Sequence, residues 1–237
     1  QINADRMWHY TEGITNHDPV WPGHGIRILP GPSSLWLDAT GRRLEAPNFP
    51  GFDTLSSLRA LRETGYDHSW FVLTQRIIEK EFALSGSEQN PDLTGKSVRK
   101  LLDRLGSGAP APVRAFVERG ADFVTADSVT ELIERMRGLS DAPLDGDRVR
   151  AEIAARDGAL GNRFGKDLQV LAMRAARGYV GDRLIRVAAP HRLTDPKAGP
   201  LIAVKLHVLT RKSLGGLHTD LSGAVLSAAG TPVPGLY

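Results

Sequence analysis

The sequence predicts an α+β fold. Three observations carry that reading: amphipathic helical stripes between residues 74 and 177, period-two patterning at Ile202, Val204, Leu206 and Val208, and no regular strand-helix-strand alternation. No internal repeat and no low-complexity linker interrupts the chain.

The first fifty residues are dense in aromatics and turn formers: Trp8, His9 and Tyr10, then Trp21 to Gly25, then Pro30-Gly31-Pro32. Proline fixes its own backbone and restricts the residue before it, so this region reads as shaped loop interrupted by short strands. Gly25 to Leu29 and Ser34 to Asp38 are those strands, the second a continuous apolar run suited to burial on both faces, turned by Ala39-Thr40-Gly41. Ser69 to Leu73 reads as a strand feeding a helix from Thr74 to Phe82. Val98, Leu101, Leu102 and Leu105 follow the i, i+3, i+4, i+7 spacing of a helix with one apolar face. Val113, Phe116 and Val117 mark a shorter helix. Ser128 followed by Glu131 is a capping box, and Val129, Leu132, Ile133 and Met136 supply the face that its helix buries. Further helices are predicted over Asp147 to Arg156 and Lys166 to Arg177. Gly178 and Gly181 then loosen the chain, and Pro190, Pro196 and Pro200 punctuate a surface loop. The strand through Ile202 to Val208 alternates with Lys205 and His207.

Composition narrows the function classes. The chain has 237 residues, enough to bury one sizeable core, and 30 Lys+Arg against 27 Asp+Glu leave a net charge of only +3. A nucleic-acid partner calls for clustered cations with interleaved aromatics, and no such tract is present. No apolar run approaches the roughly 20 residues that span a bilayer. The absence of cysteine removes disulfides and thiolates and suits a reducing compartment, so a cytoplasmic location is expected. His24, His68, His191, His207 and His218 lack metal-ligand spacing, and no metal site is expected. Gly-x-Gly-x-x-Gly, Gly-x-Ser-x-Gly and phosphate-loop motifs are also missing.

The run from Leu209 through Arg211-Lys212-Ser213-Leu214-Gly215-Gly216 to Asp220, ending in Pro232-Val-Pro-Gly-Leu-Tyr237, carries a resemblance. It is similar to the segment by which flavoproteins of the fumarate reductase, succinate dehydrogenase and 3-ketosteroid dehydrogenase superfamily re-enter their FAD domain after an inserted cap. Trp8-His9-Tyr10-Thr11 resembles the Trp-His-Pro-Thr stretch at which the chain leaves that domain. Leu35 to Arg43, Ser69 to Phe82 and Thr125 to Ile133 resemble successive cap segments, in the same order. The resemblance implies a fumarate reductase flavoprotein-type catalytic cap with a short β segment belonging to the FAD domain. Residues 1–8 would end the FAD domain, 9–212 would form the substrate-binding cap, and 213–237 would return to the FAD domain.

Departures from the pattern shape the expected substrate. Phe49-Pro50-Gly51-Phe52-Asp53 stands where fumarate reductases place a proton-donating arginine, and Leu29 and Pro30 fall near their carboxylate-binding pair. Desolvating two carboxylates without partners is costly, which argues against a C4-dicarboxylate. Phe49, Phe52, Trp36 and Trp70 are expected to wall an aromatic cavity for an apolar ketone or steroid-like molecule. In that picture FAD does the redox chemistry at a carbon-carbon bond beside a carbonyl. His9 acts as acid/base, and Lys212 orients a carbonyl or anionic group. Tyr10, Phe52, Trp70 and Arg211 contact substrate, while Ser213, Leu214, Gly215 and Gly216 approach the flavin. The partners are a small-molecule substrate and the chain's own FAD-binding domain, which holds most of the cofactor. This chain alone is expected to bind FAD weakly and to be inactive. The alternative is a non-catalytic ligand-binding or interaction module that keeps the cap fold, as the missing arginine and the hydroxyl-free Phe52 would allow.

Overall fold

A computed structural model describes residues 7–19, 21–85, 97–106, 108–213 and 215–237. Its strands are β1 (Met7–Thr15), β2 (Gly25–Leu29), β3 (Leu35–Asp38), β4 (His68–Thr74), β5 (Ala83–Ser85), β6 (Phe123–Ala126) and β7 (Leu201–Ser213). They form a sheet in the order β3-β4-β7-β1-β2-β5, with β6 beside β7. The registered pairings β1 with β2, β2 with β5, β3 with β4, β4 with β7 and β6 with β7 are all antiparallel. Around the strands run α1 (Thr54–Glu63), α2 (Gln75–Glu81), α3 (Val98–Asp103), α4 (Ala111–Arg119), α5 (Val129–Arg137), α6 (Gly146–Gly161), α7 (Leu168–Ala176) and α8 (Val180–Ile185). This is the α+β fold expected from the sequence.

The chain divides into two compact units, Gln1–Tyr10 with Leu209–Tyr237, and Thr11–Val208. The larger unit holds the main core. All seven residues of β4 are buried, as are Leu201 to Val204 of β7, because strands in the middle of a covered sheet have no solvent face. Trp36 meets Phe71 edge-on at 5.2 Å between ring centres, and Phe71 meets Phe82 at 6.3 Å. Truncating such a fully enclosed ring to alanine costs about 3–5 kcal/mol.

Helix starts follow local chemistry. The side chains of Asp53, Thr74, Ser128, Asp145 and Asp167 cap α1, α2, α5, α6 and α7 by accepting from backbone N–H groups that have no partner within the helix. The capping box of α5 is present with one change. Ser128 Oγ accepts from Glu131 N at 3.2 Å, while the Glu131 carboxylate reaches past Ser128 to Asp127 N at 3.1 Å.

Several elements differ from expectation. Three members of the α3 stripe are turned to solvent: Val98, Leu102 and Leu105 are 70%, 56% and 51% exposed. Among the side chains of this segment that are described, Arg104 is buried, and its guanidinium donates to Phe82 O at 3.0 Å. The Trp8 to Tyr10 region lies in β1, a strand and not a shaped loop, and β6 precedes the capping box. The helix α8 arises where Gly178 and Gly181 suggest a loosened chain, and α1 where the sequence reading assigns no element. The helix expected over Asp147 to Arg156 continues to Gly161.

In the smaller unit, the stretch after Gly216 folds on itself by turns and isolated bridges. Asp220 Oδ1 accepts from Ser222 N, Ser222 Oγ and Ala224 N at 2.9, 2.7 and 3.0 Å. Leu226 N donates to His218 O, Val233 N to Val225 O, and Val225 N to Leu236 O. Many of its backbone N–H groups are paired within the segment.

Candidate functional site

In the smaller unit, β1 carries His9 and Tyr10, each 9% exposed. Neighbours along a strand point to opposite faces, so the two side chains address different surroundings. The side chains of Arg211, Lys212 and Ser213, and the whole of Leu214, lie outside the described residues. Gly215 is half-buried and Gly216 exposed. A Cβ built on Gly216 would meet nothing within 4 Å, so its backbone is open to solvent.

In the larger unit the aromatic cavity does not form. Trp36 lies opposite Phe71 and Leu37 opposite Trp70 across the β3 and β4 ladder. Directly opposed residues share a face and sequential ones alternate, so Trp36 and Trp70 project to opposite sides of the sheet. Trp70 is 0% exposed and packs edge-on to His68 at 5.7 Å. It is a core residue with no surface to offer a ligand, which corrects its expected substrate contact. Phe52 is 52% exposed and tilts against Phe49 at 5.2 Å, so this pair remains free to cover an apolar molecule.

Two adjoining clefts, with cavity volumes of about 410 and 680 Å³, share Arg42 to Ala46 and Asn48, and Phe49 lines the smaller one. Their walls are charged and internally paired, unlike the apolar wall expected. Arg43 makes a two-point bond to Asp167 at 2.8 and 3.2 Å and donates to Gln169 Oε1 at 2.8 Å. Arg42 bonds Glu45 at 2.5 Å. Desolvation would raise the Asp167 carboxyl, but the Arg43 bonds and the N–H of Val170 hold it below its usual range.

A buried polar cluster fixes the loop after β2. The Glu81 carboxylate accepts from Ser33 N at 2.8 Å, Ser33 Oγ at 2.5 Å and Ala188 N at 2.9 Å. Arg156 donates to Ser33 O at 2.7 Å and His191 O at 3.1 Å, and Gln169 donates to Pro32 O and Ser34 O at 2.7 Å each. Gly31 completes the fit, since a Cβ there would stand 2.5 Å from Glu81 Oε2. Burial pushes the Glu81 carboxyl up, against the pull of the Ser33 and Ala188 bonds and of Arg156. Nothing in the sequence marks this cluster, because Glu81 and Arg156 look like ordinary helix surface charges.

Three of the histidines treated as ordinary in the sequence, His68, His191 and His207, are bonded into the fold. His207 Nε2 meets Asp122 Oδ1 at 3.0 Å, and Asp122 Oδ2 accepts from Thr15 N at 2.6 Å. His191 Nε2 meets Thr74 Oγ1 at 2.8 Å. Asp67, His68 and Ser140 are bonded in series at 2.8 and 2.9 Å, the order of a nucleophilic relay. Yet Asp67 is 95% exposed, and Ser140 Oγ already accepts from Ala142 N at 3.1 Å, so the series fastens a turn.

Comparison with known proteins gives one consistent family. A family profile described as "FAD binding domain" matches residues 1–237. A KsdD-like steroid dehydrogenase of Mycolicibacterium smegmatis is 65% identical over 237 residues, covering 100% of this chain and 43% of that protein. A KsdD-like steroid dehydrogenase of Mycobacterium tuberculosis is 63% identical over 238 residues, covering 100% of this chain and 42% of the relative. The chain therefore spans less than half the length of these curated relatives. Among solved structures, a 3-ketosteroid delta1-dehydrogenase from Sterolibacterium denitrificans, in complex with 1,4-androstadiene-3,17-dione, shares the fold. Its TM-score is 0.54 at 14% identity, covering 97% of this chain and 37% of that one.

Proposed function

The chain belongs to the FAD binding domain family, and from that premise we propose that it forms the substrate-binding cap and adjoining β segment of an FAD-dependent steroid dehydrogenase. The observation that carries the proposal is the 65% identity, over the whole of this chain, to a KsdD-like steroid dehydrogenase. Residues 9–212 are the cap in this reading, and 1–8 and 213–237 belong with the flavin-binding part. FAD, when bound, supplies the two-electron acceptor for dehydrogenation of a carbon-carbon bond.

The chain's own residues then bind substrate and move a proton. In this reading His9 takes a proton from, or lends one to, the carbon or carbonyl oxygen of the substrate, a role that imidazole chemistry suits. Tyr10 provides apolar contact, and Arg211 and Lys212 orient the carbonyl end. Ser213 to Gly216 lie against the flavin through their backbone. The paired charges of the two clefts speak against a bare dicarboxylate, because Arg43 is already committed to Asp167.

The test is product analysis. The complete flavin-loaded protein, given a 3-ketosteroid and an artificial electron acceptor, should yield a steroid lacking two hydrogens. Steroid that binds but returns unchanged would favour the ligand-binding module, and no binding at all would defeat both readings.

A further inference from the structure

We propose that the segment carried on α7 and α8 is a docking surface for an anionic phospholipid bilayer. It goes beyond the redox reading and does not depend on it. Six large apolar side chains stand out from this one stretch: Phe164 at 86% exposure, Tyr179 at 70%, Val180 at 53%, Leu184 at 51%, Leu168 at 50% and Leu171 at 43%. Scattered exposed leucines need no explanation, but a run of this kind on two consecutive helices does. Leu168 and Leu171 are three apart on α7, and Val180 and Leu184 four apart on α8, so each pair shares a helix face. Tyr179 is held outward by contact: a Cβ on Gly181 would lie 2.7 Å from its ring, so only glycine leaves room for that pose.

The charges name the occupant. Residues 163–186 contain six Lys or Arg and two Asp. One of those acids, Asp167, is committed to Arg43 from outside the segment. Arg163, Lys166 and Arg183 are exposed and form no ion pair among the described residues. Arg174 donates to Leu160 O at 3.2 Å and Arg177 to Val187 O at 2.6 Å, bonds that satisfy donors without cancelling charge. Exposed apolar side chains interleaved along the sequence with cations that form no ion pair match the boundary of an anionic bilayer, where acyl chains take the rings and leucines and headgroup phosphates take the arginines. A second copy meeting the same face would set cation against cation, which disfavours symmetric self-association.

The experiment is vesicle co-sedimentation of the complete flavin-loaded protein, with phosphatidylcholine alone and with phosphatidylcholine mixed with phosphatidylserine. The mixed vesicles should bind the protein and the neutral ones should bind it weakly. The double variant Arg163→Glu/Lys166→Glu, which touches no core residue, should lower binding about tenfold or more. Phe164→Asp/Leu171→Asp should lower it comparably while keeping flavin content. Equal or absent binding to both vesicle types overturns the proposal, as does binding that neither variant changes. A wild-type dimer that the aspartate variant dissociates would assign the face to a second copy. Loss of flavin in both variants would assign it to another part of the same protein. Either result would overturn lipid docking.

Discussion

Gly31 and Glu81 make the sharpest single-site prediction. The glycine exists because the carboxylate occupies the space a side chain would need, so Gly31→Ala should destabilise by about 1–3 kcal/mol in denaturant unfolding. Glu81 and Asp122 carry opposite pH signatures. Burial raises the Glu81 carboxyl above its ordinary 4.5, so the fold binds that proton more tightly than the unfolded chain does. Its contribution is complete below the ordinary carboxylate range and fades as pH rises through the raised value. For Asp122, burial pulls upward, but His207 and the N–H of Thr15 hold the carboxyl below its ordinary 3.8. That contribution is present above the ordinary value and is lost as pH falls through the depressed one. Melting temperature measured against pH should therefore show a shallower acid-side slope in Asp122→Asn and a shallower fall above the ordinary Glu range in Glu81→Gln. Curves parallel to wild type would contradict both assignments. His9→Ala, with flavin content preserved, should slow steroid turnover about a hundredfold or more if His9 moves the proton. An unchanged rate would remove it from the mechanism.

Individual residues were also the least legible part of the sequence. Trp70 was read as a ligand wall because an aromatic beside an apolar run fits a cavity and a core equally well. Only the β3 and β4 register, which sends it away from Trp36, decides for the core. The Glu81 and Arg156 cluster is invisible in the sequence because its partners are carbonyls and amides of a loop far along the chain.

Elements were read best where their signal is local. The cap of α5, the run of α2 and the alternation of β7 depend on neighbours in sequence, and each is present, although β7 continues past Val208 to Ser213. Asp167→Ala removes both the α7 cap and the Arg43 pair and should cost about 1–3 kcal/mol in urea unfolding, more than loss of an exposed cap alone. Failures share one cause. The stripe of α3 has helical period, yet three of its members are turned to solvent. In α1 only Ser57 and Leu61 are buried, so the apolar stripe that marks a helix is thin. Gly178 and Gly181 hid α8, although glycine there serves the packing of Tyr179. Tertiary context, which periodicity cannot contain, settled all three.

For the molecule as a whole, the family resemblance supplied what local rules could not: FAD as the cofactor. The order of several short segments was informative where each one alone was weak. The reading of this stretch as a cap with a re-entry segment makes a further prediction. Expressed by itself, the 237-residue chain should purify with little flavin, and stoichiometric yellow cofactor on it would require a binding surface that the account assigns elsewhere. The most direct measurement is anaerobic. When a 3-ketosteroid is mixed with the complete flavin-loaded protein, the flavin absorbance should bleach within the enzyme's turnover time, while fumarate or succinate leaves the spectrum unchanged. Bleaching by succinate, or a spectrum that no steroid alters, would contradict it.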